Sequence, residues 1–398
     1  MMMNNKLVNK LAGIICFAIC IQRLSMALGS VSWGISILLF LILFFKMKKS
    51  GQNIVVDEDV IGYYKAYAIC AASFIPSIFV ANDISAGVKL FFEMWLYRVM
   101  PFFMVTLFIK DKIILRKMLL IVLAVFNIDC LVAVGQVILN LGSRGWGFGG
   151  NTLHLASILC VIIPMLLVVI LDDKFAVKTK KFASLSIVCC FIGVLAGQSR
   201  GAWLTLAIIL PLVAVKYIIN RKKRVVTAFV LIGFIVGVFM VSPSLRYRVE
   251  SIGNVSTDRS NISRIAVWES GINMIKDHPV VGVGLGGFRE AYKTEYILLE
   301  DKIGLSHAHN NLIQIGAETG IVGLLGFIYL NGYILIRNFM EWRKNYNPYS
   351  LMILSGWLGF TVFGMFDLTI DASAIMKTLW FLLGALLMLK NSKTGTEL

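Results

Sequence analysis

Charge is scarce in this sequence. Only 15% of its 398 residues are Asp, Glu, Lys or Arg, against 58% hydrophobic, more apolar surface than a water-soluble core of this size needs. Period-2 alternation is missing, which argues against an outer-membrane barrel. No helix-turn-helix, finger spacing or basic face interleaved with aromatics is present. The net charge of +16 lies largely in short basic clusters between apolar runs, where it sets membrane topology and does not read nucleic acid. The seven cysteines all sit inside apolar runs. They read as small buried hydrophobes, which excludes a disulfide frame and a zinc site. No internal repeat of transporter type is visible.

What is present is a series of apolar runs, each long enough to cross a bilayer as a helix. They predict an all-α integral membrane protein with about twelve transmembrane helices, near 7–22, 28–45, 60–80, 86–109, 113–139, 152–171, 182–197, 202–219, 225–241, 312–336, 349–366 and 372–389. The basic start with its apolar run resembles a signal peptide, but it lacks a small-x-small cleavage site and reads as an uncleaved first span. The 182–197 run is short and fits either a span or a re-entrant hairpin with its neighbour.

Alternate connections carry the basic clusters, among them Lys46/Lys48/Lys49, Lys110/Lys112/Arg116/Lys117, Lys174/Lys178/Lys180/Lys181, Arg221–Arg224, Arg337/Arg343/Lys344 and Lys390/Lys393. The positive-inside rule places these in the cytoplasm. Residues 1–241 then form spans one to nine, and 242–311 form one long outer-face (periplasmic) loop with an amphipathic helix and the candidate motif. Residues 312–390 form spans ten to twelve, and 391–398 a cytoplasmic tail. All four histidines, Arg144, Arg200, Asp367 and Asp371 fall on the outer side, where nucleotide sugars and ATP are not available. Glu93, Arg98, Asp129, Lys65 and Lys377 lie within spans. Intramembrane charge is costly, so these residues read either as a structural Glu93–Arg98 pair with snorkelling lysines or as a polar path for a lipid-linked substrate.

Three of the four histidines fall between residues 264 and 327, mostly within the longest polar interval. Residues 261–277 have helical spacing, which His278-Pro279 ends. Gly282-Val-Gly284-Leu-Gly286-Gly287 matches G-x-G-x-x-G, but a helix precedes it where a dinucleotide site needs a strand. It reads as a tight re-entry loop able to offer backbone N–H groups to a phosphate. His307-x-His309 does not put both rings on one helix face, and neighbouring carboxylates lack ligand spacing. The pair therefore reads as a candidate base, or as a cap for the helix beginning at Leu312, before it reads as a metal site. Arg200, beside Trp203, is either an interfacial arginine or, with Arg264, one of two forks able to hold a diphosphate without a metal.

Taken together, Arg264-x-x-x-Trp268, His278-Pro279 through Phe288, His307-Ala-His309-Asn310 and Glu318-Thr-Gly320-Ile-Val-Gly323 resemble the O-antigen ligase and O-antigen polymerase superfamily. Gln198-Ser-Arg200-Gly-Ala-Trp203 resembles its upstream arginine motif, and Gly364-Met-Phe-Asp367 its late outer turn. The resemblance implies a C-type glycosyltransferase in the bacterial inner membrane, with an active site facing the periplasm and no cofactor. The donor would be an undecaprenyl-diphosphate-linked glycan. The acceptor would be lipid A–core or a similar molecule in a ligase, or another lipid-linked repeat unit in a polymerase. A non-enzymatic glycolipid transporter is the remaining alternative. Matched to the motifs, His309 is the expected base, and Arg200 and Arg264 the diphosphate ligands. His307, Asn310, Arg144, Gly284, Glu318 and Asp367 are the expected substrate contacts.

Overall fold

The computed structural model describes residues 5–51, 53, 55–217, 258–301 and 303–391. The expected span at 225–241 and the start of the long loop lie outside the described residues. Helices α1 (Asn5–Leu24), α2 (Met26–Lys49), α3 (Glu58–Ile78), α4 (Ile84–Phe92), α5 (Met100–Phe108), α6 (Lys112–Ile138), α7 (Thr152–Leu171), α8 (Val177–Gly197) and α9 (Arg200–Ala214) build the first part. Then follow α10 (Arg259–Asp277), the single turn α11 (Phe288–Ala291), α12 (Asn311–Asn345), α13 (Pro348–Phe363) and α14 (Ser373–Lys390). No strand occurs among the described residues. Eight helical stretches are long and apolar enough to cross a membrane, while α9 and α13 are shorter apolar helices. This is an all-α integral membrane protein.

Burial sorts the helices. Helix α7 is apolar all round and buried along nearly its whole length, packed against α8, α9 and α13. Helix α14 is the second central rod, against α5 and α13. Helix α2 instead leaves Met26, Val31, Leu38 and Phe45 exposed, as befits a helix whose outer face meets hydrocarbon. The cysteines are all free, five of them buried.

Three stretches depart from the simple span pattern. The run near 182–197 is neither short nor re-entrant: α8 has 21 residues. Its first turns carry Lys178, Lys180 and Lys181, which lower the apolar signal without ending the helix. The span near 86–109 is interrupted between α4 and α5 by a π-helical turn at Glu93–Tyr97, closed by Arg98 N–H donating to Glu93 O at 3.0 Å. That wider turn suits an ion pair five residues apart, and Arg98 Nη2 meets Glu93 Oε1 at 2.8 Å. Helix α12 breaks at Gly320, with φ 61° and ψ −163°. A Cβ there would sit 2.3 Å from the Val280 carbonyl, so the position requires glycine.

The bundle has two chemically different ends. At one, Arg337 and Lys390 meet Asp59 at 2.9 and 3.5 Å, Lys110 meets Asp57 at 3.8 Å, and Lys174 Nζ donates to Tyr346 O. Basic residues from connections far apart in sequence thus gather there. At the other end, the starts of α9, α10 and α12 meet the turn at residues 364–371. Between α10 and α12 lies a second small core of Val267, Met274, Phe288, Tyr292, Ala308 and Ala317. Full burial of a side chain such as Phe288 stabilises by roughly 1.5–3 kcal/mol, enough for this core to hold the segment from α10 to α12 in place.

Candidate active site

The histidine turn is fixed from both sides. Ala308, fully buried, donates its N–H to Gln314 Oε1 at 2.8 Å and accepts from Trp268 Nε1 at 2.8 Å. The first partner is on α12 and the second on α10, so the residue between the two histidines is pinned. His309 is left-handed, with φ 48°, a conformation that costs an L-residue roughly 1–2 kcal/mol. The helix start offsets that cost. Asn310 caps α12 by accepting from Leu312 and Ile313 N–H at 2.9 and 3.2 Å. Gln198-Ser199-Arg200 repeats the design: Gln198 is left-handed at φ 50°, Ser199 caps through Ala202 N–H, and Arg200 opens α9. In both places a left-handed residue and a cap set a polar side chain at a helix entrance.

Asp367 reaches this turn from 58 residues away. Asn311 N–H donates to Gly364 O at 2.7 Å. Its side chain accepts from Thr369 N–H at 2.9 Å and donates to Thr369 Oγ1 at 2.7 Å. Asn310 Nδ2 adds a bond to Met365 O at 3.2 Å. The turn so fastened sets Asp367 Oδ1 2.8 Å from His309 Nδ1. A carboxylate there holds the ring proton on Nδ1 and leaves Nε2 as the basic atom. His307 lies alongside, with ring centroids 3.9 Å apart, and its Nδ1 accepts the His309 backbone N–H at 3.2 Å. Burial pushes the His307 pKa down to about 4, helped by His309 and Arg264 and opposed by Asp367. His307 is therefore neutral at neutral pH.

The arginines approach from two other helix starts. Arg200 Nη2 lies 3.4 Å from Asp258 Oδ1, and Asp258 also caps α10 by accepting Asn261 N–H at 2.9 Å. One carboxylate thus ties the entrances of α9 and α10 together. Arg264, in the second turn of α10, lies in the field of Asp367, Arg200 and Asp258. Burial presses its pKa below the usual arginine range, with Arg200 adding to that and the two aspartates opposing it. Its guanidinium makes no hydrogen bond among the described residues. The positive dipole ends of α9, α10 and α12 add to an environment that favours an anion.

The other expected contacts fall elsewhere. Arg144 Nε donates to Gly197 O at 2.9 Å, binding the loop after α6 to the end of α8. Gly284, with φ 99°, packs against Ala81 and donates its N–H to Glu318 O at 3.1 Å. The Glu318 carboxylate accepts from Gln314 Nε2 at 2.9 Å and Phe288 N–H at 3.4 Å. The N–H groups of Gly282, Val283, Gly284, Leu285 and Gly287 all bond carbonyls of this chain. The loop is thereby a staple across the break in α12, and those groups are not free to cradle a phosphate as expected from the glycine pattern. Nor do the four histidines cluster. His154 lies within electrostatic range of Asp367 and Arg23, whereas His278 is exposed beside Pro279, Thr294 and Glu295.

No pattern in the sequence singles out Asp258 or Asn311. Their only local signals are an aspartate before an amphipathic helix and a second asparagine after Asn310. Asp129 was noted without a partner; it pairs with Arg23 at 2.8 Å and accepts Phe148 N–H, anchoring the loop that carries Arg144.

The family described as O-antigen ligase matches residues 185–328, a segment holding both arginines, both paired histidines and the glycine loop. An O-antigen ligase of Salmonella typhimurium is 25% identical over 229 residues, covering 52% of this chain and 53% of its own length. A protein of Haemophilus influenzae described as uncharacterized is 22% identical over 189 residues, 44% of this chain and 46% of its own length. The chain spans about half the length of these curated relatives. Through this shared segment, which carries both arginines and the paired histidines, the chain is similar to the O-antigen ligase family.

Proposed function

We propose that this protein is an inverting membrane glycosyltransferase that moves an O-antigen-like glycan from undecaprenyl diphosphate to lipid A–core or a similar acceptor. The reaction takes place at the periplasmic face of the bacterial inner membrane. The observation that carries the reading is the His309–Asp367 pair at 2.8 Å, with Arg264 on a neighbouring helix within electrostatic range of Asp367 and of Arg200. His309 Nε2 takes the proton of the acceptor hydroxyl as its oxygen attacks the anomeric carbon. The bond from that carbon to the diphosphate oxygen breaks, and the diphosphate leaves as an anion against Arg264 and Arg200. Attack opposite the leaving group inverts the configuration. Asp367 keeps the basic nitrogen aimed at the acceptor and stabilises the imidazolium that forms.

The requirements match what the residues supply. Diphosphate is a good leaving group, so positioning, charge stabilisation and a base suffice. Two guanidinium forks do the work that a divalent ion does elsewhere on a diphosphate. The matched family is described as a ligase, which favours a terminal acceptor over a lipid-linked repeat unit.

The experiment is transfer in vesicles from undecaprenyl-diphosphate-linked glycan, with lipid A–core and a second lipid-linked repeat unit offered separately. Transfer to lipid A–core with inverted linkage is expected. Elongation of the lipid-linked chain with no transfer to lipid A–core would overturn the acceptor assignment. Reporter fusions at Leu299 and Lys344 test the membrane side: Leu299 should report the periplasm and Lys344 the cytoplasm, and a cytoplasmic Leu299 would remove the outer-face site.

A further inference from the structure

A cavity of about 180 Å³ lies between α6, α7, α8, α13 and α14, at the end of the bundle opposite the histidine turn. For scale, an apolar cavity of about 150 Å³ takes up benzene. Its lining from α6 runs from Arg116 to Leu123, about 10 Å along the helix axis at 1.5 Å per residue. Ile162, Phe182 and Leu382 typify the rest, which is apolar apart from Thr179 and Tyr349. An apolar space between membrane-spanning helices is a place for a hydrocarbon chain, because the solvent around these helices is itself hydrocarbon.

The polar groups stand at one end. Arg116 lines the cavity together with Tyr349, whose hydroxyl meets the guanidinium. Arg116 Nε is buried with no hydrogen-bond partner, and Arg116 forms no ion pair among the described residues. A half-buried guanidinium with no carboxylate partner beside an apolar slot favours an anion. Lys112, Lys117, Lys178 and Lys181 belong to the same end of α6 and α8, so the surroundings add positive charge. This arrangement, a headgroup-sized cation above a chain-sized slot, is complementary to an anionic lipid.

We propose that this cavity is a binding site for a diacyl anionic phospholipid of the leaflet opposite the active site, with one acyl chain in the slot and the phosphate against the Arg116 guanidinium. The tail of a polyprenyl carrier fits the charge less well, because its phosphates belong at the far end near Arg200 and Arg264 and an apolar tail tip leaves Arg116 unanswered.

The test uses the full-length protein, purified and delipidated in detergent, titrated with phosphatidylglycerol, phosphatidylcholine or undecaprenyl phosphate and read by native mass spectrometry. The expected result is one tightly held phosphatidylglycerol per chain, with phosphatidylcholine and undecaprenyl phosphate each about 10-fold weaker, as befits loss of one charge-assisted contact or a poor chain fit. Arg116→Gln should weaken phosphatidylglycerol by a similar factor, and Ala183→Phe, which fills the slot, should do the same without touching the cation. Each variant is compared with the wild type by elution volume and lipid-free unfolding temperature. The headgroup comparison on the wild-type protein stands even if a variant fails to fold. Equal affinity for phosphatidylglycerol and phosphatidylcholine, an unchanged Arg116→Gln in a folded protein, or preferential uptake of undecaprenyl phosphate would each overturn the proposal.

Discussion

Two polar loops flank α12, and they treat their hydrogen-bonding groups in opposite ways. In the glycine loop, residues 282–288 donate backbone N–H groups to carbonyls of α3, α12, His278 and the loop itself, or to the Glu318 carboxylate, and Ile321 and Val322 return bonds to Pro279 and Val280. In the histidine turn the backbone is equally fastened, yet His309 Nε2 there, like the Arg264 guanidinium on α10, is left without a partner among the described residues. The glycine pattern is the more conspicuous in sequence, but a loop whose donors are satisfied internally has little left for a substrate. Chemistry is to be sought where rigid backbone carries unsatisfied side chains.

The sharpest way to break this comparison is to remove the unsatisfied groups. His309→Ala should lower glycan transfer by roughly 10²–10⁴-fold, the usual contribution of a positioned base, while expression, unfolding temperature and donor binding stay near wild type. Near-normal turnover in vesicles would return His309 to the role of a helix-entrance residue. Arg264→Ala should follow, weakening binding of the proposed undecaprenyl-diphosphate donor by about 10- to 100-fold, the worth of a charge-assisted bond. Arg264→Lys should rescue poorly, since an ammonium cannot fork onto two oxygens. Transfer by the wild type should survive EDTA; a loss that magnesium restores would show that the arginines do not suffice on the diphosphate.

How much of this was legible in the sequence depends on the range of the interaction. Helices α6, α7 and α14 were legible because an apolar run of bilayer length has few alternatives. The end of α10 at His278-Pro279 was legible from local backbone chemistry. The roles within the site were harder. Asp367 drew attention as a motif residue, but its place on His309 depends on Asn311 holding a turn 58 residues away, which no local pattern encodes. His278, read from the sequence only as the end of a helix, caps α10 14 residues beyond Arg264, about 20 Å at 1.5 Å per residue.

On the structural side of the comparison, Gly320→Ala should damage stability more than chemistry. An alanine would combine a positive φ with a Cβ set 2.3 Å from backbone, so about 2 kcal/mol or more of stability should be lost. Transfer per folded molecule should remain within about twofold, because the break lies three helical turns from His309. An unfolding temperature equal to wild type would show that the glycine loop does not staple α12, and a selective loss of transfer would place the loop in the reaction.

The smallest effect on stability at neutral pH is expected at His307. Its Nδ1 accepts the His309 N–H, a role only the unprotonated nitrogen can fill, and burial holds its pKa down to about 4, with His309 and Arg264 also lowering it and Asp367 raising it. In the unfolded chain a histidine titrates near pH 6.5. Between these two values the unfolded state binds the extra proton, so folding stability contributed by this group is full above about pH 6.5 and is lost as the pH falls toward 4. His307→Asn offers an acceptor at a similar place but no titration. It should therefore reduce transfer at pH 7 by less than about tenfold, the worth of one hydrogen bond. It should also flatten the fall in unfolding temperature between pH 6.5 and 4.5 relative to wild type. Tryptophan fluorescence melts at half-unit steps in pH would check this. Parallel melting curves for the two proteins would mean that His307 does not depend on its neutral form, and a hundredfold loss of transfer would move it from the supporting turn into the reaction itself.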